Sequence, residues 1–326
     1  MKKEMDIVAL GELLVDFTQA GKSESGMRLF EQNPGGAPAN LLTAASHMGY
    51  RTALIGKVGK DMHGSFLKRT LQEEGICADY VIEDRDYFTT LAFVAIDEKG
   101  ERRFSFSRKP GADTQLKASE LDRELLKSCK IFHFGSLSLT SEPSRSATRE
   151  AVRLAKEAGA LISYDPNYRK SLWDDPVQAI GRMKSPIKAV DVMKVSDEEC
   201  LLLTGAEDYQ KGAEELLAMG PKLIAVTLGG EGVFILTGTG KGQVPAFPSQ
   251  VVDTTGAGDS FWGGFLSQLL RREKKIEAMD WSELLECARY GNAMAGLCVR
   301  KRGGIPAIPD KEEVEKFVRE WTGKCD

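Results

Sequence analysis

Residues 251–270, VVDTTGAGDSFWGGFLSQLL, join a glycine-rich turn to the start of a helix whose apolar residues recur along one face. A turn of this kind exposes several backbone N–H groups at the positive end of the helix dipole, and such a place binds phosphate. Asp259, in the first helical turn, would repel a bound phosphate at rest. It is nevertheless suited to take the proton from a hydroxyl that attacks that phosphate. The stretch therefore predicts a site for phosphoryl transfer.

The same stretch also fits a purely structural role, because glycine turns often only cap helices and Asp is common in a first helical turn. It is not a Walker A loop, since no Lys-Ser or Lys-Thr follows the glycines. Nor is it the dinucleotide fingerprint, because Phe261 occupies the position of its third glycine. The choice between a cap and a phosphate site depends on what the rest of the chain brings beside Asp259.

The chain from residue 115 onward alternates short apolar segments with amphipathic ones. This alternation predicts a parallel sheet covered by helices on both faces. The predicted strands are residues 131–134, 161–164, 190–195 and 223–227. The predicted helices are residues 118–127, 145–158, 208–219 and 282–299.

Polar residues lie at the carboxyl ends of these predicted strands or shortly after them. They are Asp165, Asn167, Lys194, Ser196, Glu199, Thr227 and Gly229. Ligands of such folds bind beyond the carboxyl ends of the strands, so one edge of the sheet would collect these residues beside Asp259. Each of them alone also fits ordinary turn chemistry, because Asp, Asn and Gly dominate turns.

Two further polar positions lie near the N-terminus. Asp16 alternates with apolar residues along a predicted strand, so it is either solvated or binds a hydroxyl. Gly35 and Gly36 form a tight turn before a helix of small residues over 39–47. Asn40 lies in the first turn of that helix, where it either caps the helix or contacts a polar ligand.

A second, smaller sheet is predicted from a β-hairpin formed by residues 88–96 and 103–107 around the turn sequence DEKG. The hairpin interrupts the α/β alternation and is expected to stand off the main body. Arg108 follows it, where an arginine is usually a surface charge but is also able to close over a polar ligand.

The composition is that of a globular protein with a large core: 326 residues, 42% hydrophobic and 28% charged. The net charge of −4, with basic residues spread along the chain, argues against nucleic-acid binding. No apolar run approaches the length of a membrane helix, and Glu12 and Asp16 interrupt the N-terminal run, which is therefore predicted to be a strand. The six cysteines show no C-x-x-C spacing, so we expect reduced thiols and a cytoplasmic protein.

Hydrolase chemistry has little support. The three histidines (47, 63 and 133) show no metal-ligand spacing, and none accompanies a nucleophile motif. His133, in IFHFG, is expected to be a residue of a core strand.

Several motifs occur together and in order: GELLVDF, GGAPAN, KVSDEE, VTLGGEG and DTTGAGDSFWGGF. In this the chain resembles the ribokinase-like (PfkB-type) carbohydrate kinases from residue 7 to 309. ERRFSFSRKPGAD and DPNYRKSLW are most similar to the fructokinases of that family. The resemblance implies one doubly wound α/β domain over 1–326, with a small β lid formed by about residues 12–33 and 88–109. It implies transfer of the γ-phosphoryl group of ATP to a sugar hydroxyl, here the 6-hydroxyl of fructose.

The resemblance also implies roles for individual residues. Asp259 corresponds to the general base, and the anion hole corresponds to Gly256, Ala257 and Gly258. The expected sugar contacts are Asp16, Gly35, Gly36, Asn40, Arg108, Asp165, Asn167 and Asp259. The expected nucleotide side comprises Lys194, Ser196, Glu199, Thr227, Gly229, Gly232, Gly258 and Asn292. Glu199 is expected to contact Mg²⁺ through water, while Asp253 and Thr255, with backbone near 303–304, correspond to a loop for a monovalent cation such as K⁺.

Other hypotheses about the acceptor and the class of protein stay open. Ala37 stands where ribokinase-type members carry Lys, which disfavours ribose, and Ser196 stands where many members carry Asn. The acceptor alternatives are 2-keto-3-deoxygluconate or another sugar or nucleoside, and the different-class alternative is a non-catalytic member that binds sugar or a partner protein. Exposed strand edges in the lid predict a homodimer through it.

Overall fold

The computed structural model describes residues 4–96 and 102–322. Within this part of the chain there are fourteen strands and ten α-helices. The strands are β1 Met5–Leu10, β2 Leu14–Lys22, β3 Arg28–Gly35, β4 Thr52–Gly59, β5 Ile76–Cys77, β6 Val81–Asp84, β7 Leu91–Ile96, β8 Arg102–Ser107, β9 Cys129–Gly135, β10 Leu161–Asp165, β11 Val192–Ser196, β12 Leu223–Thr227, β13 Val233–Thr237 and β14 Lys241–Val244. The helices are α1 Ala37–His47, α2 Met62–Glu73, α3 Arg123–Ser128, α4 Ser144–Glu157, α5 Pro176–Lys184, α6 Asp197–Thr204, α7 Tyr209–Ala218, α8 Ala257–Arg272, α9 Trp281–Cys298 and α10 Lys311–Thr322.

The main sheet runs in the order β14-β13-β12-β11-β10-β9-β1-β4-β5, with β6 also paired to β4. Its strands from β12 through β5 are parallel, and β13 and β14 add an antiparallel edge. The predicted doubly wound, mostly parallel α/β fold is therefore confirmed. The antiparallel edge was not predicted.

Strand β1 shows why both faces of the sheet are covered. Val8 and Leu10 face a core that includes residues of α4 to α7, whereas Ile7 and Ala9 face the core of α1, α2, α8 and α9. All four side chains are fully buried. A strand that is apolar on both faces is typical of a parallel sheet between two helical layers.

Three of the four predicted helices after residue 115 agree with α4, α7 and α9 within one residue at each end. The prediction of one helix over 118–127 is wrong. A short 3₁₀ turn, Ala118–Glu120, precedes α3, and Leu121 between them is extended at ψ 131°. The break occurs because the Asp122 carboxylate accepts the N–H of Leu125 at 2.8 Å and begins a new helix there.

The small sheet comprises β3-β2-β7-β8 in that order. Strand β2 pairs antiparallel with β3 and parallel with β7, and β7 pairs antiparallel with β8. The fold prediction of a separate small sheet is thus confirmed. The predicted DEKG turn of its hairpin lies outside the described residues.

In the described part of the chain, no helix combines the length and apolarity needed to cross a bilayer.

Candidate active site

A cavity of about 720 Å³ lies at the carboxyl ends of the parallel strands, between the main sheet and the small sheet. The small sheet contributes Leu14, Asp16, Thr18, Asn33, Val94 and Phe106 to its lining. The first turns of α1 and α8 contribute Ala37, Asn40, Gly258 and Asp259. The ends of β11 and β12 contribute Lys194, Ser196 and Thr227. The cavity is therefore where the predicted fold type binds its ligands.

Asp259 does not cap its own helix. It lies in the first turn of α8, and no side chain caps that helix. Its Oδ2 instead accepts the Asn40 Nδ2–H at 2.8 Å, and its Oδ1 accepts the Asn167 Nδ2–H at 2.9 Å. Asn167 is itself held in the left-handed region at φ 47°. Two amides from separate elements thus fix the carboxylate inside the cavity, which a helix cap would not require.

The charge state of Asp259 is set by opposing effects. Burial raises the pKa of the Asp259 carboxyl, while the Lys194 ammonium and the Asn40 amide lower it, and the net shift is upward. A raised pKa makes the carboxylate a better proton acceptor than an exposed aspartate, and the cation and two amides still favour its ionised form.

Helix α8 is anchored beneath Asp259 by a buried polar chain. Trp262 Nε1–H donates to Ser163 Oγ at 2.8 Å, and Ser163 Oγ lies 2.9 Å from His133 Nδ1. His133 is 2% exposed, and burial lowers its pKa to about 3, so the ring stays neutral. His133 is a core-strand residue, as expected from the sequence.

The glycine turn before α8 brings backbone close to a cation. Gly256 has φ 76°, a conformation that favours glycine. A Cβ on Gly258 would lie 2.9 Å from Lys194 Nζ, so the ammonium packs directly against the start of the helix. Gly256 and Gly258 line the cavity, but Ala257 does not, and its N–H donates to the Thr254 carbonyl at 3.3 Å. An anion at this turn would meet both amides and the ammonium.

Lys194 and Asp165 form a buried ion pair with Nζ 2.8 Å from Oδ2. Burial lowers the pKa of Lys194, but the carboxylates of Asp165, Glu199 and Asp259 outweigh burial, so the pKa is raised and the side chain stays charged. Burial raises the pKa of Asp165 and of Glu199. Lys194 is therefore surrounded by three carboxylates, those of Asp165, Glu199 and Asp259.

Ser196 and Glu199 form a capping box at the start of α6. Glu199 Oε2 accepts the Ser196 N–H at 2.9 Å, and Ser196 Oγ accepts the Glu199 N–H at 3.1 Å. Glu199 Oε1 accepts the Tyr168 N–H at 2.6 Å. These bonds explain both residue types locally, while both residues also line the cavity.

Asp16 faces the cavity from β2, and its side chain makes no hydrogen bond to another described residue. Burial raises the pKa of its carboxyl to about 6, with Arg169 opposing the shift and Asp253 and Asp259 adding to it. Gly35, its neighbour on β3, leaves room for it, because a Cβ there would collide with Asp16 Oδ2. Asp16 is therefore available to an incoming hydroxyl.

Several residues predicted for the site do not line the cavity. Arg108 is 7% exposed and pairs with Asp113, while Asn292 Nδ2–H groups donate to the Val244 and Pro245 carbonyls, each at 3.0 Å. The other such residues are Gly35, Asp165, Asp253, Gly229, Gly232 and Ala257. Asp165 and Gly35 directly support residues that do line it.

Asp253 ties together the loop predicted to hold a monovalent cation. Its Oδ1 accepts the N–H and Oγ1–H of Thr255, both at 2.8 Å, and its Oδ2 accepts the Gly303 N–H at 3.1 Å. Thr255, Gly303 and Gly304 line the cavity.

Other lining residues were not assigned from the sequence. Glu12, Asn33, Tyr168, Arg169, Glu198 and Thr254 are among them. Arg169 lies two residues after the DPN segment, and its charge lowers the pKa of both Asp16 and Asp259. Its place in the motif DPNYR was the signal available for it. Glu12 had no comparable signal.

Residues 5–311 match the pfkB family of carbohydrate kinases. The chain belongs to this family. The resemblance inferred from the motifs is thereby confirmed, and the cavity is the candidate active site of a carbohydrate kinase.

Similar proteins include several that are described as fructokinases. The chain is 42% identical over 316 residues to a protein described as probable fructokinase-4 of Arabidopsis thaliana, covering 96% of each chain. It superposes on the fructokinase of Xylella fastidiosa with bound ATP at a TM-score of 0.91, with 32% identity, covering 99% of this kinase and 100% of that chain. A double mutant of the fructokinase of Vibrio cholerae O395, bound to fructose, ADP and potassium ion, gives a TM-score of 0.86 at 30% identity, covering 98% of this kinase and 100% of that chain.

Proposed function

We propose that this kinase transfers the γ-phosphoryl group of ATP to the 6-hydroxyl of fructose, with Asp259 as the general base. The observation that carries the proposal is the buried Asp259 carboxylate, which two amides hold in the cavity beside the start of α8 and Lys194. The similarity to proteins described as fructokinases supports fructose as the acceptor.

The acceptor sugar would lie against α1 and the small sheet. Asp16 presents a carboxylate to the cavity without an internal hydrogen bond to the described residues. Asn40 gives its Nδ2–H to Asp259, and its Oδ1 is buried without a partner in the described structure. A buried acceptor without a donor is costly, and a sugar hydroxyl would supply that donor. These two residues are therefore the proposed primary sugar contacts.

Transfer would then use groups that are already in place. Asp259 takes the proton as the sugar hydroxyl attacks, and the amides of Gly256 and Gly258 with the Lys194 ammonium balance the charge on the phosphoryl oxygens. The small sheet, acting as a lid over the cavity, would exclude water and so limit hydrolysis of ATP.

The nucleotide would extend along the ends of β11 and β12, past Ser196 and Thr227. The donor set fits a polyphosphate, because Lys194 and the helix amides converge on one side of the cavity. Each oxygen of Glu199 accepts one backbone N–H and retains capacity for a water ligand of Mg²⁺. The described residues hold no cluster of three metal-ligating side chains, so Mg²⁺ would be held mainly by phosphate and water. Bound there, Mg²⁺ supplies positive charge to the phosphates.

The loop of Asp253 and Thr255 is the proposed place for K⁺. Support comes from the potassium ion in the Vibrio cholerae structure and from the cross-loop bonds of Asp253 to Thr255 and Gly303. Asn292, Gly229 and Gly232 remain predicted neighbours of the nucleotide. Arg108 acts on the sugar only through the hairpin it anchors.

The proposal is tested with a panel of acceptors under ATP and Mg²⁺: fructose, 2-keto-3-deoxygluconate, ribose and a nucleoside, ranked by kcat/KM. Fructose is expected to have the highest kcat/KM, and NMR should show that its product carries the phosphate at the 6-position. A higher rank for another acceptor would reassign the sugar. Measurable sugar binding with no turnover of any acceptor would favour the non-catalytic reading.

The same assay tests the base through Asp259→Asn. Asn keeps one acceptor oxygen, so one of the two amides keeps its hydrogen bond. The fold and fructose binding, measured by calorimetry, should therefore persist. Turnover should fall by about 10³-fold or more, because the proton acceptor is lost. A variant that binds fructose and turns over at nearly the parent rate would remove Asp259 from this role.

A further inference from the structure

Glu12 is a buried carboxylate that the reaction above does not use. It lies between β1 and β2, is 4% exposed and lines the cavity. Its Oε1 accepts the Ala37 N–H at 3.1 Å. Its Oε2 is buried and has no hydrogen-bond partner among the described residues.

A carboxylate at this position is energetically expensive. Burial raises the pKa of Glu12 to about 7; the nearby Arg108 guanidinium opposes this shift and the Asp113 carboxylate adds to it. A neutral Gln would offer Ala37 the same acceptor at a lower cost of desolvation. What Glu12 contributes at this position is therefore the acceptor oxygen for Ala37 and not its charge.

Helix α1 lacks a cap of its own. Its N-cap residue is Gly36, no side chain at the N-cap accepts from the first turn, and that turn contains no acidic residue. Glu12, 25 residues earlier in the chain than Ala37, supplies the missing acceptor. The backbone of Glu12 also abuts this turn, because a Cβ on Gly36 would collide with the Glu12 carbonyl oxygen.

The first turn of α1 in turn orients the catalytic base. Asn40 N–H donates to the Gly36 carbonyl at 3.0 Å, and Asn40 Nδ2–H donates to Asp259 Oδ2 at 2.8 Å. A shift of this turn would therefore move one of the two amides that hold Asp259.

We propose that Glu12 is a positioning residue for phosphoryl transfer: by capping α1 from outside the helix, it holds Asn40 against Asp259. This proposal rests on the proposed function, because phosphorylation of fructose is the reaction in which the variants are assayed. The parent protein is assayed first, so absence of fructose turnover would count against the proposed function and not against Glu12.

Three variants of Glu12 separate the cap from other roles. Glu12→Ala removes the acceptor and should lower kcat by about 10- to 100-fold, the size expected for misplacing a catalytic group by a fraction of an ångström to one ångström. Glu12→Gln keeps the acceptor and should stay within about fivefold of the parent, since only the attraction of a charge to the helix start is lost. Glu12→Asp keeps the charge but is too short to reach Ala37, and should resemble Glu12→Ala. KM for ATP should not change.

Asp208→Ala is the matched control. Asp208 caps α7, accepting the N–H groups of Gln210 and Lys211, and does not line the cavity. It should lower the unfolding temperature and leave kcat unchanged. If Glu12→Ala lowers kcat no more than this control, the proposal is wrong. If Glu12→Ala does not fold, the proposal is decided by kcat of Glu12→Asp and Glu12→Gln. A near-parent kcat for Glu12→Asp together with a low kcat for Glu12→Gln would overturn the proposal.

A double-mutant cycle with Asn40→Ala tests the route. If Glu12 acts through Asn40, then Glu12→Ala should cost much less in kcat once Asn40 is already truncated. Multiplicative losses in the double variant would show that Glu12 acts elsewhere, and would refute the route proposed here.

Discussion

Asp259 shows how much of a site a residue type and its spacing can predict. The sequence placed a carboxylate in the first turn of a helix after a glycine turn, which fits both a cap and a base. The contacts that separate these two readings come from Asn40 and Asn167, which are 219 and 92 residues away. Each amide was recognisable as a polar residue at an element end. Their convergence on one carboxylate depends on strand order, which local patterns do not contain.

Glu12 and Arg108 show the opposite case, in which burial decides the role. An acid after a short strand and an arginine after a hairpin are both exposed in most proteins, so the sequence gives no reason to expect otherwise. Both are more than nine-tenths buried here. Each is accommodated by a partner that lies on another element, namely Ala37 for Glu12 and Leu137 for Arg108.

Asp16 should make fructose binding depend on pH. Its pKa is raised from 3.8 to about 6, so the carboxyl is half ionised at that pH, mostly ionised at pH 7 and mostly protonated at pH 5. Because an ionised carboxylate is the better acceptor for a hydroxyl, kcat/KM for fructose should fall about tenfold between pH 7 and pH 5. KM for ATP should vary less over the same range.

Asp16→Asn should have a low kcat/KM for fructose that is nearly constant over this pH range. Glu12, with a pKa of about 7, titrates nearby, so the profile is also measured in Glu12→Gln. Persistence of the decrease in Glu12→Gln and its absence in Asp16→Asn would assign it to Asp16. A parent profile that is flat from pH 5 to 7 would contradict the prediction.

At the scale of elements, the hairpin β7–β8 is fastened to the main body at both ends by one acid. Asp113 accepts the Thr90 Oγ1–H before β7 at 2.6 Å and the Arg108 Nε–H after β8 at 2.8 Å. Arg108 also donates to the Leu137 carbonyl at 2.9 Å and to Thr140 Oγ1 at 3.0 Å. Because Leu137 lines the cavity, this clamp fixes the hairpin relative to the proposed sugar side of the site.

Removing one partner of the clamp should destabilise the protein strongly. Asp113→Ala leaves the Arg108 guanidinium buried without its carboxylate and should lower the free energy of unfolding by about 3–5 kcal/mol. It should also raise KM for fructose, because the hairpin β7–β8 loses the hydrogen bonds that hold its two ends to the main body. Urea unfolding and steady-state kinetics measure the two effects.

Arg153→Ala is the control. It breaks ion pairs with Glu150 and Glu157 on the surface of α4, and should change neither the free energy of unfolding nor KM for fructose appreciably. Equal effects of the two substitutions would contradict the clamp.

Elements were predictable where the apolar period was long and its ends were marked. Helices α4, α7 and α9 meet both conditions, whereas the predicted helix over 118–127 contained the capping residue Asp122, which starts a second helix. Strands β13 and β14 were missed because an antiparallel edge follows no α/β alternation. Gly232, at φ 98°, closes the turn that reverses the chain into β13, and a glycine in a polar turn does not by itself indicate that reversal.

At the scale of the whole molecule, the small sheet has two different faces. Asp16, Thr18, Val94 and Phe106 line the cavity. The other face carries an aromatic cluster in which Phe17 stacks on Phe93 with ring centroids 5.3 Å apart, and Phe30 contacts Phe93 edge-on at 6.1 Å. Phe30 and Phe93 remain 38% and 37% exposed, and Leu29 and Met27 nearby are more exposed. An aromatic patch beside an open strand edge is typical of a protein interface.

We therefore expect two copies of the chain to associate through the small sheet, as the exposed lid strands predicted. Sedimentation equilibrium at micromolar concentration should give twice the monomer mass. Phe93→Glu places a charge in the aromatic cluster, so it should shift the equilibrium to monomer. Val177→Glu is the control, because Val177 is also a large exposed apolar residue, at 78%, but belongs to α5 and not to the small sheet. If Phe93→Glu still associates, another surface joins the copies. If the parent protein is a monomer, the aromatic cluster does not join two copies and the prediction is wrong. The two substitutions carry the same added charge, so a difference between them reports where the copies meet and not a general effect of charge on solubility.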